Sequence, residues 1–262
     1  MLKEERLQFI VDRLRESRMV SIQNLSQQLG VSYMTIWRDL SDLETRGLVG
    51  RIRGGAVPNN LNMKSQDAAF PGFDSKSDPN YKKKACIARY AARHLVDDDD
   101  IMTIEAGTTT STIVQYLINK NITVLTNGLM TALKSASLLG RASIICSGGV
   151  LIETGAFIGP QAETFFGGYR VKKAFLSAKG LTLNDGFTDP TPLYNRLKNA
   201  MRANAERVIV LLDSSKFGSR SLIQVMDFPD VDVVVTDSEV PQEMADALRA
   251  KGIDVHVADL SV

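Results

Sequence analysis

Cysteine and histidine are scarce in this 262-residue chain, with two of each. Cys86 and Cys146 stand far apart without a CxxC spacing, and His94 and His256 are equally isolated from one another. Such usage excludes a disulfide framework and a zinc-ligand pattern, and it suits reduced, buried thiols. His94 has apolar neighbours on an expected helix, which reads as a core or boundary position. His256 alternates with Val255 and Val257 and reads as a non-catalytic surface residue. No run approaches the ~18 apolar residues that cross a bilayer. The opening MLKEERLQFIVDRLRE carries charges where a signal peptide would have an apolar core. A soluble, cytoplasmic protein with no membrane partner is therefore expected.

A charge of one sign is also missing. The formal net charge is +1, which excludes a basic nucleic-acid coat. Residues 1–64 hold ten Lys/Arg and seven Asp/Glu, net +3, leaving −2 for the rest. That asymmetry is too small to identify DNA binding by itself. Nucleotide signatures are lacking too. No GxxxxGK[ST] occurs and no GxGxxG follows the first expected strand, so neither ATP nor a dinucleotide is expected, nor any other cofactor.

What the first sixty residues do contain is helical periodicity. Leu7, Ile10, Val11 and Leu14 mark an amphipathic helix over about residues 3–16. Ser21 opens a shorter helix through Leu25 and Leu29 that Gly30 ends. Ser32 then caps a helix whose Ile36, Leu40 and Leu43 form one apolar stripe, closing near Gly47. This spacing predicts a helix-turn-helix whose second helix enters a major groove. Outside its stripe that helix carries Tyr33, Met34, Thr35, Trp37 and Arg38, side chains suited to an aromatic edge, a phosphate or a base. Leu48, Val49, Ile52 and Gly54-Gly55 predict a two-stranded ribbon, with Arg51 and Arg53 placed for the sugar-phosphate backbone. A small helical domain with a charged rim is the alternative reading of the same residues.

Residues 58–81, PNNLNMKSQDAAFPGFDSKSDPNY, hold Pro58, Pro71 and Pro79 among small polar residues and predict a linker. Phe70 and Phe73 could dock on either neighbour. The expected organisation is a DNA-binding domain at 1–57, this linker, and an effector-sensing and oligomerisation domain at 82–262. From Lys82 onward helices alternate with short β-branched runs: IMTIEA, ITVLTN, ASIICSG, KKAFLSA, RVIVLLD, DVVVTD and IDVHVAD. That order predicts an α/β domain with a largely parallel sheet. The loops after the strands are the candidate ligand site. Gly107, Thr108, Thr109 and Thr110 stand at a strand-to-helix junction where backbone N–H groups can receive a phosphate. Asn127-Gly128 and Gly148-Gly149 follow later strands, and Lys216 ends DSSK with a cation. Each glycine could equally serve a tight turn.

Two blocks of residues carry a family resemblance. SIQNLSQQLGVSYMTIWRDLSDLETRGLVGRIRGGA resembles the winged helix-turn-helix of the DeoR family of bacterial transcription regulators. The resemblance assigns Ser32, Tyr33, Met34, Thr35, Trp37 and Arg38 to the recognition helix and Arg51 and Arg53 to the wing. Trp37 departs from the family's usual Arg, and its indole is expected to pack on a sugar or a thymine methyl, or else in a core or dimer contact. TIEAGTT, TVLTNG, IICSGG, AFIG, AFLSAKG, DGFTD and LLDSSKFG resemble the effector domain of the same regulators. That domain implies a fold akin to sugar-phosphate isomerases and a phosphorylated sugar as effector. Glu105, Thr108, Thr109, Asn127, Gly128, Gly148, Gly149, Asp185 and Lys216 carry the resemblance, with Glu105 where Asp is common.

The function so implied is a transcription regulator, a repressor of carbohydrate genes, binding operator DNA as a homo-oligomer. An isomerase with an accessory domain is the alternative, using Asp185 or Glu105 as base and Lys216 as electrostatic partner. AKGLTLNDGFTD lacks the fuller paired-acid pattern of ribose-phosphate isomerases, so no catalytic residue is expected. A third reading is an architectural DNA-binding protein whose α/β domain only assembles subunits.

Overall fold

A computed structural model describes residues 3–16, 19–46, 48–52, 54–58 and 78–260. Arg53, Gly47 and the segment 59–77, with Phe70, Pro71 and Phe73, lie outside the described residues. The chain forms two compact units, Met1–Ala69 and Phe70–Val262.

The first unit opens with helix α1 (Lys3–Glu16), whose Leu7, Ile10 and Leu14 are buried. After β1 (Val20–Ser21), Ser21 caps α2 (Ile22–Leu29) by accepting a hydrogen bond from the Asn24 amide. Gly30 ends α2 at φ +62°, a left-handed conformation that a side chain would strain. Ser32 caps α3 (Tyr33–Thr45) through the Thr35 amide, and Ile36, Leu40 and Leu43 face inward. Strands β2 (Val49–Ile52) and β3 (Gly55–Pro58) make the expected ribbon. The sheet has a third member, because β1 pairs with β3 to give the order β1-β3-β2. A two-residue strand leaves no periodic signal. Its pairing depends on Gly55, where a Cβ would stand 2.1 Å from the Val20 carbonyl oxygen.

The second unit is built on seven parallel strands, and they are the seven apolar runs of the sequence. They are β4 (Ile101–Ile104), β5 (Thr123–Thr126), β6 (Ser143–Cys146), β9 (Val171–Leu176), β12 (Ala205–Leu211), β14 (Val233–Asp237) and β15 (Asp254–Ala258). Their order is β15-β14-β12-β9-β4-β5-β6. Alternate residues face opposite layers. Ala174, Leu176, Val208, Val210 and Val234 pack with α7 (Pro160–Gly167), α8 (Leu193–Ala203) and α9 (Gln242–Ala250). Phe175, Ile209, Leu211, Val233 and Val235 pack with α4 (Tyr81–His94) and the Ile113–Tyr116 turn that follows α5 (Thr108–Thr112). Helix α6 (Leu129–Leu138) links β5 to β6.

Succession reverses between β4 and β9. From β4 the chain steps outward to β5 and β6; it then returns through the hairpin β7 (Val150–Leu151) and β8 (Phe157–Ile158) to β9, and proceeds the other way. At such a switch point the loops leaving neighbouring strands diverge and open a crevice at the carboxyl ends. A small antiparallel sheet, absent from the sequence expectation, flanks it: β10 (Gly180–Thr182), β11 (Gly186–Asp189) and β13 (Ile223–Met226), in the order β10-β11-β13. Among the described residues no helix is long and apolar enough to cross a membrane.

One buried ion pair fastens α1 to α3 in the first unit. Arg6 donates from Nε to Asp39 at 2.8 Å and from Nη2 at 3.1 Å, and Asp39 is only 2% exposed. Removing the cation leaves a buried carboxylate with little compensation, while the exposed edge of the arginine admits some water. Arg6→Ala is therefore expected to cost about 3 kcal/mol, the lower end for a broken buried pair. Denaturant unfolding followed by Trp37 fluorescence measures it; an unchanged midpoint would remove the pair as a stabilising element.

Candidate functional site

The first unit presents one face of α3. Tyr33, Met34 and Trp37 are exposed, as is Arg38, which forms no ion pair among the described residues. Ser32 and Thr35 are turned toward each other, their hydroxyls 2.9 Å apart, which fixes the first turn. Arg51 on β2 lies with its guanidinium carbon 4.5 Å from the centre of the Trp37 ring and its Nη1 3.6 Å from Glu44. The indole is neither in the core nor free: one face carries a cation. Arg53 lies outside the described residues.

In the second unit a cavity of about 210 Å³ opens at the switch point. Glu105, Ala106, Gly107, Thr108 and Thr109 reach it from the end of β4, Ser177, Ala178 and Lys179 from β9, and Lys216 from beyond β12. Lys84 of α4, Asp189 of β11, Tyr194 and Lys198 of α8, and Thr154 between β7 and β8 complete the lining.

Local sequence sets each wall. The Thr110 hydroxyl donates to the Glu105 carbonyl at 2.8 Å and locks the GTTT turn. A Cβ on Gly107 would meet that hydroxyl oxygen at 2.8 Å, so glycine lets the turn close. Thr108 accepts from Lys84 at 2.8 Å, and Lys84 also pairs with Asp78. Asp213 caps the short turn Ser214–Lys216 and so directs Lys216 toward the cavity.

The floor is a buried charge cluster. Lys198, 2% exposed, pairs with Asp189 at 2.6 Å and Glu105 at 3.0 Å, and donates to the Ser177 carbonyl. Glu105 also accepts from the Ser177 amide at 2.8 Å. Burial pulls against the Lys198 charge, but the two carboxylates outweigh it and hold the ammonium above the usual lysine range. Burial raises Glu105 from 4.5 to about 7; Lys198 opposes that rise and Asp189 adds to it. At the rim, loss of water lowers Lys179, and the ammoniums of Lys216 and Lys84 lower it further. Neither Lys179 nor Lys216 has a carboxylate within ion-pair distance among the described residues.

Six sequence candidates stand elsewhere or inward of the lining. Asn127 is fully buried, accepting from the Ala106 amide at 2.8 Å and donating to the Phe157 carbonyl at 3.2 Å, so it ties loops together. Gly128 is a close-packing position, where a Cβ would meet Thr131 Oγ1 at 2.7 Å. Gly148 and Gly149 have φ of +63° and +113° and shape the turn into β7. Thr110 serves the turn already described. Asp185 lies in the β10–β11 hairpin turn, bonded to the Thr182 hydroxyl at 2.8 Å and 3.3 Å from Arg220. Of the two acids of DGFTD, Asp189 reaches the cavity, at the far end of β11 and roughly 13 Å along an extended strand of four residues. Lys84, Lys179, Lys198 and Asp189 were missed. Only Lys179, directly after the AFLSA run, and Asp189, the second acid of DGFTD, stood where a strand-end rule would have found them.

Among the described residues no group of three His, Cys, Asp or Glu is placed to hold a metal ion. The floor should be visible in the pH dependence of stability. Between pH 4.5 and about 7 the folded chain holds a proton on Glu105 that the unfolded chain has released. This contribution favours the fold at low pH and is lost as pH rises through about 7. Glu105→Gln stays neutral throughout and should remove that part of the slope. Unfolding free energies from pH 5 to 8 compare the two; identical slopes would contradict a protonated Glu105.

Comparison with known proteins assigns both units. Residues 6–61 match the DeoR-like helix-turn-helix domain and residues 79–238 the DeoR C terminal sensor domain. The uncharacterized HTH-type transcriptional regulator FruR of Bacillus subtilis is 36% identical over 91% of this chain and 93% of its own length. The transcriptional repressor AccR of Agrobacterium fabrum is 33% identical over 90% of each. Among solved structures, ribose 5-phosphate isomerase A of Methanocaldococcus jannaschii overlays 53% of this chain and 55% of its own at 17% identity, with a TM-score of 0.39, a partial likeness. A helix-turn-helix head with an exposed recognition helix, a sensor domain with a switch-point cavity, and full-length similarity to regulators make this chain a DNA-binding transcription regulator of the DeoR family.

Proposed function

We propose that the protein represses genes of carbohydrate use and that a phosphorylated sugar in the switch-point cavity changes its hold on operator DNA. The observation that carries this reading is the pairing of unlike ends in one cavity. Lys179 and Lys216 present two ammoniums at the rim, without carboxylate partners among the described residues, beside the Thr108–Thr109 turn. Glu105 and Asp189 lie at the floor, held by Lys198. A phosphate dianion relieves the repulsion between the rim lysines, and amides at the start of the Thr108–Thr112 helix can donate to its oxygens. Carboxylates at the floor accept hydrogen bonds from sugar hydroxyls. Repression is supported by the name of the Agrobacterium relative. Two copies of the head acting on one operator add their contacts, so a homo-oligomer fits this function.

The alternative, a sugar-phosphate isomerase, has one observation in its favour: a carboxyl near pKa 7 inside the cavity suits a general base. Detectable isomer formation by NMR, lost in Glu105→Gln, would support it.

Lys216→Ala and Lys179→Ala should each weaken binding of hexose and pentose monophosphates by about ten- to a hundredfold, the loss of a charge-assisted contact. Operator affinity without effector should stay unchanged. Calorimetry with phosphorylated and unphosphorylated sugars checks this, and equal binding of both classes would contradict a phosphate site. Arg38→Ala should weaken operator binding by about tenfold or more with little change in thermal unfolding. Arg51→Ala should flatten the dependence of affinity on salt, as a lost phosphate contact does. Unchanged affinity across a salt titration would remove either residue from the interface.

A further inference from the structure

We propose that Trp37 is the specificity-determining residue of the reading head, and that it selects a thymine by seating its indole against the C5-methyl group in the major groove. The inference rests on α3 being the groove-facing helix. Side chains read bases by few chemistries: Arg or Lys to guanine, Asn or Gln to adenine, Asp or Glu to cytosine, Ser or Thr to either, and apolar groups to the thymine methyl, the one apolar group the major groove displays. Asp39 is buried against Arg6. From Ser32 to Ser41 there is no Asn, Gln or Lys, and Arg38 is the sole Arg. The other exposed side chains on these turns are Ser32, whose hydroxyl faces that of Thr35, and Tyr33, Met34 and Trp37, which are 54, 56 and 40% exposed. The Thr35 hydroxyl is already engaged by Ser32.

Of the three large side chains, Trp37 is the one held in place. Arg51 lies 4.5 Å from its ring centre, and Glu44 meets Arg51 at 3.6 Å. With one face covered by a cation, the indole offers its remaining surface, an apolar rim with a single N–H donor. Thymine presents a methyl group beside the O4 acceptor, which matches that rim. Cytosine presents an amino donor there and matches neither feature. A ring already stacked loses little freedom on binding, whereas Met34 must be immobilised from three rotatable bonds. A purely structural role, in which Trp37 only supports Arg51, predicts no sensitivity to the methyl group, and this separates the two.

The test uses the full chain and duplexes enriched from a randomised pool. Each thymine of the enriched site is replaced singly by deoxyuridine, which removes only the methyl. One position should weaken by about fourfold, the worth of one buried methyl. Emission from Trp37, the single tryptophan of the chain, should change less on binding that duplex. In Trp37→Ala the thymine and deoxyuridine duplexes should bind equally. Trp37→Phe, which keeps a ring beneath Arg51, should retain part of the preference. Insensitivity at every thymine, or a sensitivity that survives in Trp37→Ala, would overturn the proposal while leaving α3 in the groove. Protection of α3 residues absent from the bound complex in hydrogen exchange would instead overturn the placement of the helix.

Discussion

A single buried ammonium organises the sensing end of this protein. Lys198 is withdrawn from water, and a lone charge there would be costly enough to neutralise itself. It remains a cation because Glu105 and Asp189 approach it from different strands and the Ser177 carbonyl takes a further bond. Four segments therefore converge on one atom: the ends of β4, β9 and β11 and the middle of α8. The amides that position the neighbouring loops belong to the same network. Ser177 donates to Glu105, and the Lys179 amide donates to Asp189 at 3.0 Å. Charge compensation at the floor thus fixes the backbone of the rim that bears Lys179.

The reading head relies on the same physics at smaller scale. Arg6 and Asp39 join two helices across a core of Leu, Ile and Val side chains, each contributing roughly 1.5–3 kcal/mol by burial. A core of that size leaves a narrow margin, so one satisfied ion pair matters to the presentation of α3. The Trp37–Arg51 stack then links α3 to β2 outside the core.

Much of this was legible in the sequence, for identifiable reasons. The interior parallel strand β14 is buried throughout and reads as an apolar run, while the edge strands β6 and β15 are partly exposed yet keep enough β-branched residues to stand out as well. Ser21 and Ser32 announced helix starts, and Gly30 a helix end, because capping chemistry is local. What escaped is what depends on partners remote in sequence. β1 is two residues long and exists only through its pairing with β3. Lys84 and Lys198 look like ordinary charges on amphipathic helices; burial at a strand end is a property of topology, not of spacing. Asp185 and Asp189 share one short motif, and alternation along β11 could not say which end of the strand faced the crevice. Asn127 stood at a strand end as expected, yet its amide serves the backbone of its neighbours.

Helix α8 ties together the two sides of the cavity in a way that reaches beyond occupancy. Tyr194 and Lys198 are four residues apart and share a helical face. The Tyr194 hydroxyl lies 3.1 Å from that of Thr154, on the turn between β7 and β8, while Lys198 anchors the floor. A substitution at 194 that removes the Thr154 contact therefore acts on the same helix that carries the buried charge. Both side chains line the cavity, so the wall at Thr154 and the charged floor are borne by a single rigid element.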